Sequence, residues 1–343
     1  MSASTPEFLR SLPKTELHCH FASTIRPERL LRWARERGVP LPSDDPAELA
    51  RYTGLQDFLV LFNAAHAVFR SGEDVALVAY EGVRAAVATT NLRYREYSVN
   101  PHNFAELGLP WPVVLAGLVE GLTRAEEEFG VGFGIVPALN RSLDLAAAHA
   151  TLDVVLANPH PAVVGFGQDD LAADGYESPL AWEPVYARAR AAGLRLTAHV
   201  GEIATSTAAS VVEAVEVLHL DRVDHGYHVL DDPAVVERAR AAGVHFCCTP
   251  KSAHLLSGWA FDAQHPVARM IEAGLSVNLS TDDEVFFATS LQAEFEHVGL
   301  DLGFGDDVVE QLALNGVTAS FAPEDVKARL RAEIRALRGG PPG

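Results

Sequence analysis

Short apolar segments of strand length alternate along this chain with longer segments of helical periodicity, and this alternation limits the possible folds more than any other feature. The apolar segments predict eight strands, at residues 15–21, 92–99, 132–139, 162–167, 194–200, 222–227, 244–249 and 275–281. The segments between them are rich in Ala, Leu, Glu and Arg, and they predict helices at residues 26–37, 54–69, 74–89, 111–129, 142–157, 179–192, 206–218, 232–242, 266–273 and 290–300.

Strands that alternate with helices predict a parallel sheet covered by helices. The central strands are apolar almost throughout, which is typical of strands buried on both faces. Eight such units favour closure into a TM (β/α)8 barrel with extra helices over an open doubly wound sheet. The chain has 343 residues and no linker that would divide it, so we expect a single domain over residues 1–343 with a frayed tail at 338–343.

The charge of the chain narrows the classes of partner. Lys and Arg number 27 and Asp and Glu number 46, which gives a formal net charge of −19. Such a protein repels phosphate backbones and anionic lipids, so we expect a small-molecule partner and neither nucleic acid nor a membrane. The three cysteines do not form a disulfide framework, and this favours a cytoplasmic location.

Titratable side chains gather at the ends of four predicted strands. They are His18 and His20 in LHCH, His199 and Glu202 in AHVGE, His225 in VDHGYH, and Asp282 and Asp283 in LSTDD. The carboxyl ends of the strands of a (β/α)8 barrel form one face, where active sites are built. We therefore expect these residues, which are distant in sequence, to meet at that face.

Two of these histidines, His18 and His20, have the spacing at which side chains of a strand point to the same side. Two imidazoles that face one point suit a metal ion, although a surface pair or a satisfied core pair has the same spacing. Together with His199 and Asp282 they would form a set of three histidines and one carboxylate, which is consistent with one Zn²⁺ per chain. Alternatively, His199 is a core histidine bonded to the backbone, and Asp282 caps the helix that follows.

The remaining residues of the set fit the chemistry of a hydrolase. A zinc ion at such a site would lower the pKa of a bound water toward neutrality. His225 is the candidate for the base that orients this water. Glu202 is the candidate for the acid on the leaving side, which requires a raised pKa in a dry pocket. Taken alone, without the other motifs, Glu202 fits a solvated loop carboxylate or a cap for the helix that starts near Ser206 better than a catalytic acid.

Taken together, the motifs resemble those of the adenosine deaminase family of the amidohydrolase superfamily, which includes adenosine, adenine and aminodeoxyfutalosine deaminases. The matching segments are LPKTELHCHFASTIRPE at 12–28, HVGE at 199–202, DHGYH at 224–228 and LSTDD at 279–283, with weaker matches in YREYSVNP at 94–101, AVVGFGQDD at 162–170 and NGVTASF at 315–321. Each motif alone is unspecific, but their order at successive strand ends is specific.

The resemblance implies zinc-dependent hydrolytic deamination of a 6-aminopurine, with a 6-oxopurine and ammonia as products. It makes His18, His20, His199 and Asp282 the zinc ligands. It also makes Glu202 the acid that protonates purine N1, and His225 the residue that orients and deprotonates the water.

The same resemblance implies where the purine lies. Asp283 corresponds to the partner of purine N7, and the backbone near Asp169 and Asp170 corresponds to the contact with purine N3. Phe58, Leu59 and Phe62 fall where the family has an apolar gate over the pocket. A stripe of this kind at helical spacing is also typical of ordinary core packing.

The sequence departs from the family at two places. Members specific for nucleosides carry HLDG where this chain has HFAS at residues 20–23. The Asp of that motif resembles the anchor of the ribose 5′-hydroxyl, and Ala22 cannot replace it, so adenosine should lose about 1–3 kcal/mol of binding free energy. Lys251, in CTPKS after the seventh strand, is either a partner of a bulkier or acidic 5′ group or a solvated loop residue.

Three functional hypotheses follow from these observations. The leading one is deamination of adenosine or of a modified adenosine, and a 5′-modified nucleoside such as 6-aminodeoxyfutalosine fits the loss of the Asp. The second is deamination of free adenine, which needs no ribose pocket. The third is a purine-binding protein without catalysis, and the complete set of metal and catalytic residues argues against it.

Overall fold

The computed structural model describes residues 3–172, 175 and 179–337, so the predicted tail at 338–343 lies outside the described residues. Within this part of the chain, nine parallel strands form the inner wall: β1 (Lys14–His20), β2 (Leu92–Val99), β3 (Gly132–Asn140), β4 (Gly165–Asp169), β5 (Arg195–Leu196), β6 (His199–Val200), β7 (Val223–His225), β8 (His245–Cys248) and β9 (Ser276–Leu279).

The strands close into a barrel with eight positions. Strands β1 to β5 pair in chain order, and so do β6 to β9. The ring closes where Cys19 of β1 forms a parallel bridge with Asp282, which follows β9. Strands β5 and β6 are two short parts of one barrel strand, because the Thr197 N–H between them still donates to the Phe166 carbonyl of β4 over 3.1 Å. The prediction of a TM barrel is therefore confirmed.

Helices cover the outside of the barrel and its mouth. They are α1 (Pro6–Ser11), α2 (Pro27–Arg37), α3 (Pro46–Leu49), α4 (Leu55–His66), α5 (Gly72–Thr89), α6 (Pro101–Glu106), α7 (Trp111–Phe129), α8 (Leu145–Leu156), α9 (Glu183–Ala191), α10 (Ala208–Val217), α11 (Pro233–Ala242), α12 (Pro250–Ser257), α13 (Pro266–Glu272), α14 (Leu291–Glu296), α15 (Asp306–Ala319) and α16 (Glu324–Ala336). Short 3-10 helices follow β1 (Phe21–Thr24), precede α9 (Leu180–Trp182) and follow β7 (Tyr227–Asp231), and a π-helix (His297–Asp301) continues α14. Among the described residues, no helix is long and apolar enough to cross a bilayer.

Six of these helices, α1, α3, α6, α12, α15 and α16, are absent from the sequence prediction. Four of them are short and begin at a proline. These four helices have only four to eight residues, too few for a helical period to be recognised. The initial proline suits the first turn and is no obstacle, since α2, α11 and α13 also begin at one and were predicted. The last helix, α16, buries only Leu330 and Ile334, so its apolar stripe is too narrow to stand out in the sequence.

A buried ionic network fixes the chain segment that carries Asp282. Glu16 of β1 forms an ion pair with Arg95 of β2 and accepts a hydrogen bond from the Thr281 N–H over 2.9 Å. The Arg95 Nη1 atom also lies 3.0 Å from Glu284 Oε2. Since Glu16 and Arg95 are fully buried, breaking either partner would leave an uncompensated charge, and the network therefore holds residues 281–284 against the first two strands.

The turn after β7 provides a test of how tightly the barrel mouth is packed. Gly226 has a φ of +81°, and an added Cβ would lie 2.2 Å from Phe246 Cδ1. We expect Gly226→Ala to lower the free energy of unfolding by about 3 kcal/mol, since it adds backbone strain and overpacking. Urea unfolding measures this change, and we expect the m value of the variant to equal that of the wild type.

Gly243→Ala is the matched control for this substitution. Gly243 has a φ of +68°, but an added Cβ would meet no atom within 4 Å. Only the conformational cost of the left-handed backbone remains, so we expect the free energy of unfolding to fall by about 1 kcal/mol. Equal losses for the two variants would contradict the predicted contact with Phe246.

Candidate metal centre and active site

Three histidines and one aspartate converge at the carboxyl end of the barrel strands. His20 Nε2 lies 3.1 Å from His199 Nε2 and 3.4 Å from His18 Nε2. Asp282 Oδ1 lies 3.0 Å from His18 Nε2 and 3.2 Å from His20 Nε2. All four residues are buried. Donor atoms gathered this closely around one point are the arrangement that a divalent cation requires.

Backbone geometry brings Asp282 to this point. The His20 N–H donates to the Asp282 carbonyl over 2.9 Å, and the Asp282 N–H donates to the His18 carbonyl over 3.1 Å. Asp282 has a φ of 64°, a left-handed conformation that is uncommon for a residue with a side chain. The hydrogen bonds to β1 hold it there, so Asp282 serves the cluster and not a helix. Ser290, whose hydroxyl accepts from the Ala293 N–H, caps α14 instead.

The outward-facing Nδ1 atoms of two histidines are held by neutral acceptors. His199 Nδ1 lies 2.9 Å from the Gln168 carbonyl, and His225 Nδ1 lies 3.1 Å from Thr249 Oγ1. The predicted alternative for His199, a bond to the backbone, is therefore present together with its place in the cluster. A proton on Nδ1 leaves the lone pair of Nε2 directed inward, and this is the tautomer that binds a metal.

His225 and Glu202 lie side by side at one edge of the cluster. His225 Nε2 lies 3.5 Å from Glu202 Oε2 and 3.9 Å from Asp282 Oδ2. Gly201, with a φ of +75°, turns the chain between β6 and Glu202, and an added Cβ would lie 2.8 Å from Val211 Cγ2. Glu202 does not cap the next helix, because the Thr207 hydroxyl accepts from the Ser210 N–H at that end.

The electrostatics of the cluster favour a bound cation. Burial and the neighbouring histidines lower the pKa of His199 well below its usual value, so this imidazole is neutral and able to bind a metal. Burial would lower the pKa of His20 as well, but Asp283, Asp282 and Asp169 outweigh it and raise that pKa to about 10. Burial and the adjacent Asp282 raise the pKa of Asp283, against the effect of His20. The carboxylates thus attract positive charge to this point.

A cavity of about 530 Å³, open to solvent, lies over the cluster. The residues of the sequence prediction that line it are His20, His199, Glu202, Asp282, Asp283, Asp169, Asp170, Phe58, Leu59 and Phe62. The predicted gate lies on α4, where the Phe62 ring is centred 5.6 Å from the His20 ring. Phe58 and Phe62 also belong to the main hydrophobic core, so both predicted roles of this stripe fit its position. His18 and His225 are buried beneath the cavity.

Two positions that the sequence analysis connects with the 5′ end of a nucleoside, Ala22 and Lys251, are not at the cavity wall. Ala22 is buried in the 3-10 helix after β1, with 2% exposure, and it is not among the described residues that line the cavity. Lys251 lies in the first turn of α12, where its N–H donates to Glu294 Oε2 over 2.9 Å, and it does not line the cavity either. The interpretation of Lys251 as a partner of a 5′ group therefore gains no support.

The cavity wall also contains residues that the sequence analysis did not select, namely Leu55, Asn63, Asn103, Asn140, Arg141 and Leu256. Asn140 ends β3 and Arg141 follows it, so the rule that located the other site residues at strand ends would have found both. Arg141 Nε donates to the Asp170 carbonyl over 2.9 Å, and its Nη1 donates to the His199 carbonyl. Arg141 therefore braces the loops at the cavity.

The sequence of this chain is similar to those of known deaminases over nearly its whole length. The sequence model of the family described as adenosine deaminase matches residues 13–337. The adenine deaminase of Cupriavidus taiwanensis is 32% identical, with 100% of this chain and 97% of that protein covered. The adenosine deaminase of Bos taurus is 31% identical, with 96% of this chain and 94% of that protein covered.

Solved structures agree with the sequence comparison. The adenine deaminase of Arthrobacter aurescens superposes with a TM-score of 0.88 at 31% identity, covering 96% of this chain and 100% of that one. An amidohydrolase of Burkholderia ambifaria with bound Zn gives a TM-score of 0.89 at 30% identity, covering 99% of this chain and 95% of that one. The chain therefore belongs to the adenosine deaminase family, and it is a hydrolytic deaminase that acts on a C–N bond of a cyclic amidine.

Proposed function

We propose that this protein is a zinc-dependent deaminase of an uncharged 6-aminopurine and that free adenine is its preferred substrate. The observation that carries the proposal is the convergence of three Nε2 atoms and the Asp282 carboxylate beneath a cavity that opens to solvent. Glu202 and Asp283 line the same cavity, so groups for proton transfer and for orientation lie beside the metal position.

Zinc fits the donor set of this site. Three imidazole nitrogens and one carboxylate oxygen, all buried, are ligands that Zn²⁺ prefers, and His18, His20, His199 and Asp282 would hold it. A zinc ion bound there would activate a water for attack on purine C6. The related amidohydrolase of Burkholderia ambifaria contains Zn, which supports the choice of metal.

The side chains around the metal position divide the proton transfers between them. The Thr249 hydroxyl lies at His225 Nδ1, so His225 Nε2 faces the cluster and can accept a proton from the attacking water. Glu202 lies 3.5 Å from that nitrogen and at the cavity wall, where it can deliver a proton to purine N1. Protonation of N1 relieves the negative charge that develops on the ring during attack. Asp283 is the partner of purine N7.

The charge of the cavity wall argues for an uncharged substrate. Four aspartates line the cavity, Asp169, Asp170, Asp282 and Asp283, beside the proposed proton donor Glu202. The guanidinium of Arg141 is already engaged with the carbonyls of Asp170 and His199. A 5′-phosphate would meet net repulsion at this wall, so nucleoside monophosphates are poor candidates.

Adenine is favoured over adenosine for two reasons. Ala22 has no hydrogen-bonding side chain, is buried and is not among the described residues that line the cavity, so the ribose anchor that the family resemblance places there is missing. The proteins from Cupriavidus taiwanensis and Arthrobacter aurescens are both described as adenine deaminases. Adenosine, the leading substrate of the sequence analysis, becomes the second candidate, and the relative from Bos taurus supports it.

A substrate panel tests the preference. We expect kcat/KM for adenine to exceed that for adenosine by about 10–100-fold, the effect of one unpaired hydrogen-bonding group. We expect AMP and 6-aminodeoxyfutalosine to be weaker than adenosine, because the phosphate of the one and the carboxylate of the other meet the acidic wall. Ammonia release and the change in ultraviolet absorbance give the rates. An adenosine value equal to or above the adenine value would refute the choice of the free base.

Substitution of the proposed acid tests the mechanism. We expect Glu202→Gln to retain stoichiometric zinc while kcat falls by about 10²–10⁴-fold, the usual contribution of a general acid. Metal content and steady-state kinetics on the best substrate provide the two measurements. An unchanged kcat would remove Glu202 from the proton transfers.

Substitution of a ligand tests the metal site. We expect His20→Ala to lose zinc and activity together, because one of four donor atoms disappears. His102→Ala is the matched control, since His102 is partly exposed, pairs with Glu106 and is not among the described residues that line the cavity. Elemental analysis of purified protein gives the zinc content, and full zinc occupancy in His20→Ala would exclude this assignment.

A further inference from the structure

We propose that Asp169 and Asp224 are positioning residues, which hold the two histidines of β1 in place through their Nδ1 atoms. Asp169 faces His20 and Asp224 faces His18. Neither carboxylate is a metal ligand in this scheme. The inference rests on the metal site proposed above, and it concerns the support of that site and not the ligands themselves.

The first observation is that, in each pair, the histidine Nδ1 atom and one aspartate oxygen are both buried, face each other and have no hydrogen bond to another group. His20 Nδ1 and Asp169 Oδ2 are both buried without a hydrogen bond, and they face each other at 3.5 Å. His18 Nδ1 and Asp224 Oδ1 are likewise buried without a hydrogen bond and lie 3.8 Å apart. A buried polar atom without a partner costs about 1–3 kcal/mol, so each donor and acceptor satisfy one another once the imidazole turns slightly.

The second observation is that both carboxylates are anchored in the same manner. Asn100 Nδ2 donates to Asp169 Oδ1 over 2.6 Å, and Thr197 Oγ1 donates to Asp224 Oδ2 over 2.6 Å. Each anchor fixes one oxygen and leaves the other directed at an imidazole. Because the anchoring groups are uncharged, they orient the carboxylates without neutralising them, and the negative charge acts on the histidine.

The third observation is the contrast with the other two histidines of the site. His199 and His225 direct Nδ1 at a backbone carbonyl and at a hydroxyl, both uncharged. His199 Nδ1 also lies 3.9 Å from Asp224 Oδ2, but it already has the Gln168 carbonyl as its hydrogen-bond partner. Among these four described rings, the two on β1 are the ones whose Nδ1 atom faces a carboxylate and has no other hydrogen bond. A carboxylate at Nδ1 fixes the tautomer and makes Nε2 a better donor to a cation. His18 and His20 are thereby the ligands whose basicity the protein strengthens.

Two amides of the cavity wall, Asn103 and Asn140, continue the hydrogen-bonded chain that begins at Asp169 and Asn100. Asn140 Oδ1 lies 3.5 Å from Asn100 Nδ2, and Asn140 Nδ2 donates to Asn103 Oδ1 over 3.0 Å. Asn103 and Asn140 line the cavity, so the amide that orients Asp169 is itself held by the cavity wall. This gives the Asp169 side chain a role separate from the purine contact that the sequence predicts for the backbone at this position.

The test uses isosteric substitutions and measures the metal directly. Asp169→Asn and Asp224→Asn remove one charge each and preserve shape. We expect each to weaken Zn²⁺ binding by about 10–100-fold in competition with a chelator, the usual effect of removing such a partner. In cobalt-substituted protein we expect a shifted absorption spectrum, which reports the geometry of the ligands. Zinc affinity within twofold of the wild type, with an unchanged cobalt spectrum, would overturn the proposal.

Asp74→Asn is the matched control for a purely structural effect. Asp74 forms an ion pair with Arg37, and neither residue lines the cavity. We expect this variant to lower the free energy of unfolding of the metal-free protein while zinc affinity and the cobalt spectrum stay at wild-type values. If it weakens zinc binding as much as the two site variants, loss of stability explains the effect and the positioning role is wrong.

Anchor variants keep the proposal testable if a carboxylate variant fails to fold. Thr197→Val is isosteric and removes the anchor of Asp224, and we expect it to weaken zinc binding less than Asp224→Asn but measurably. Wild-type affinity in Thr197→Val would contradict the proposed anchoring. A separate outcome tests the proposed metal site: equal zinc binding by the wild-type protein and His20→Ala would contradict that site. If His20→Ala loses zinc and all carboxylate and anchor variants keep it, only the positioning role fails.

Discussion

The burial of three imidazoles and several carboxylates around one point at the barrel mouth is the constraint on which the rest of this site depends. Desolvation of such groups is costly unless opposite charge compensates them, and a divalent cation supplies that compensation. The carboxylates raise the pKa of His20 to about 10 although the ring is buried, so the cluster draws positive charge. Closure of the barrel between β1 and Asp282 brings the first and last strands into this contact.

Sequence patterning was sufficient for the fold and for the centre of the site. The strand at residues 92–99 and the helix at residues 111–129 occur with the predicted bounds, because both have long uninterrupted patterns. His18, His199 and Asp282 could be grouped before any coordinates, since the carboxyl ends of barrel strands share one face. The assignment to the adenosine deaminase family is confirmed, and the activity follows at the level of a hydrolytic deaminase.

Other features depend on packing that the sequence pattern does not express. Helices as short as α6 and α12 show no recognisable helical period in the sequence and resemble loops. The split of the fifth barrel strand into β5 and β6 has no signal in an apolar run. Ala22 is buried and is not among the described residues that line the cavity. Asp169 and Asp224 face ligand histidines only in three dimensions, since more than 140 residues separate them from β1 in sequence.

Anomalous X-ray diffraction at the zinc absorption edge, from crystals of the zinc-loaded protein, tests the central claim most directly. The account predicts one strong peak within about 2.0–2.2 Å of Nε2 of His18, His20 and His199 and of the Asp282 carboxylate. The peak should lie beneath the cavity beside Glu202 and His225. A peak at another position would contradict the account. So would the absence of any peak in diffraction data collected at the zinc edge from protein that carries stoichiometric zinc.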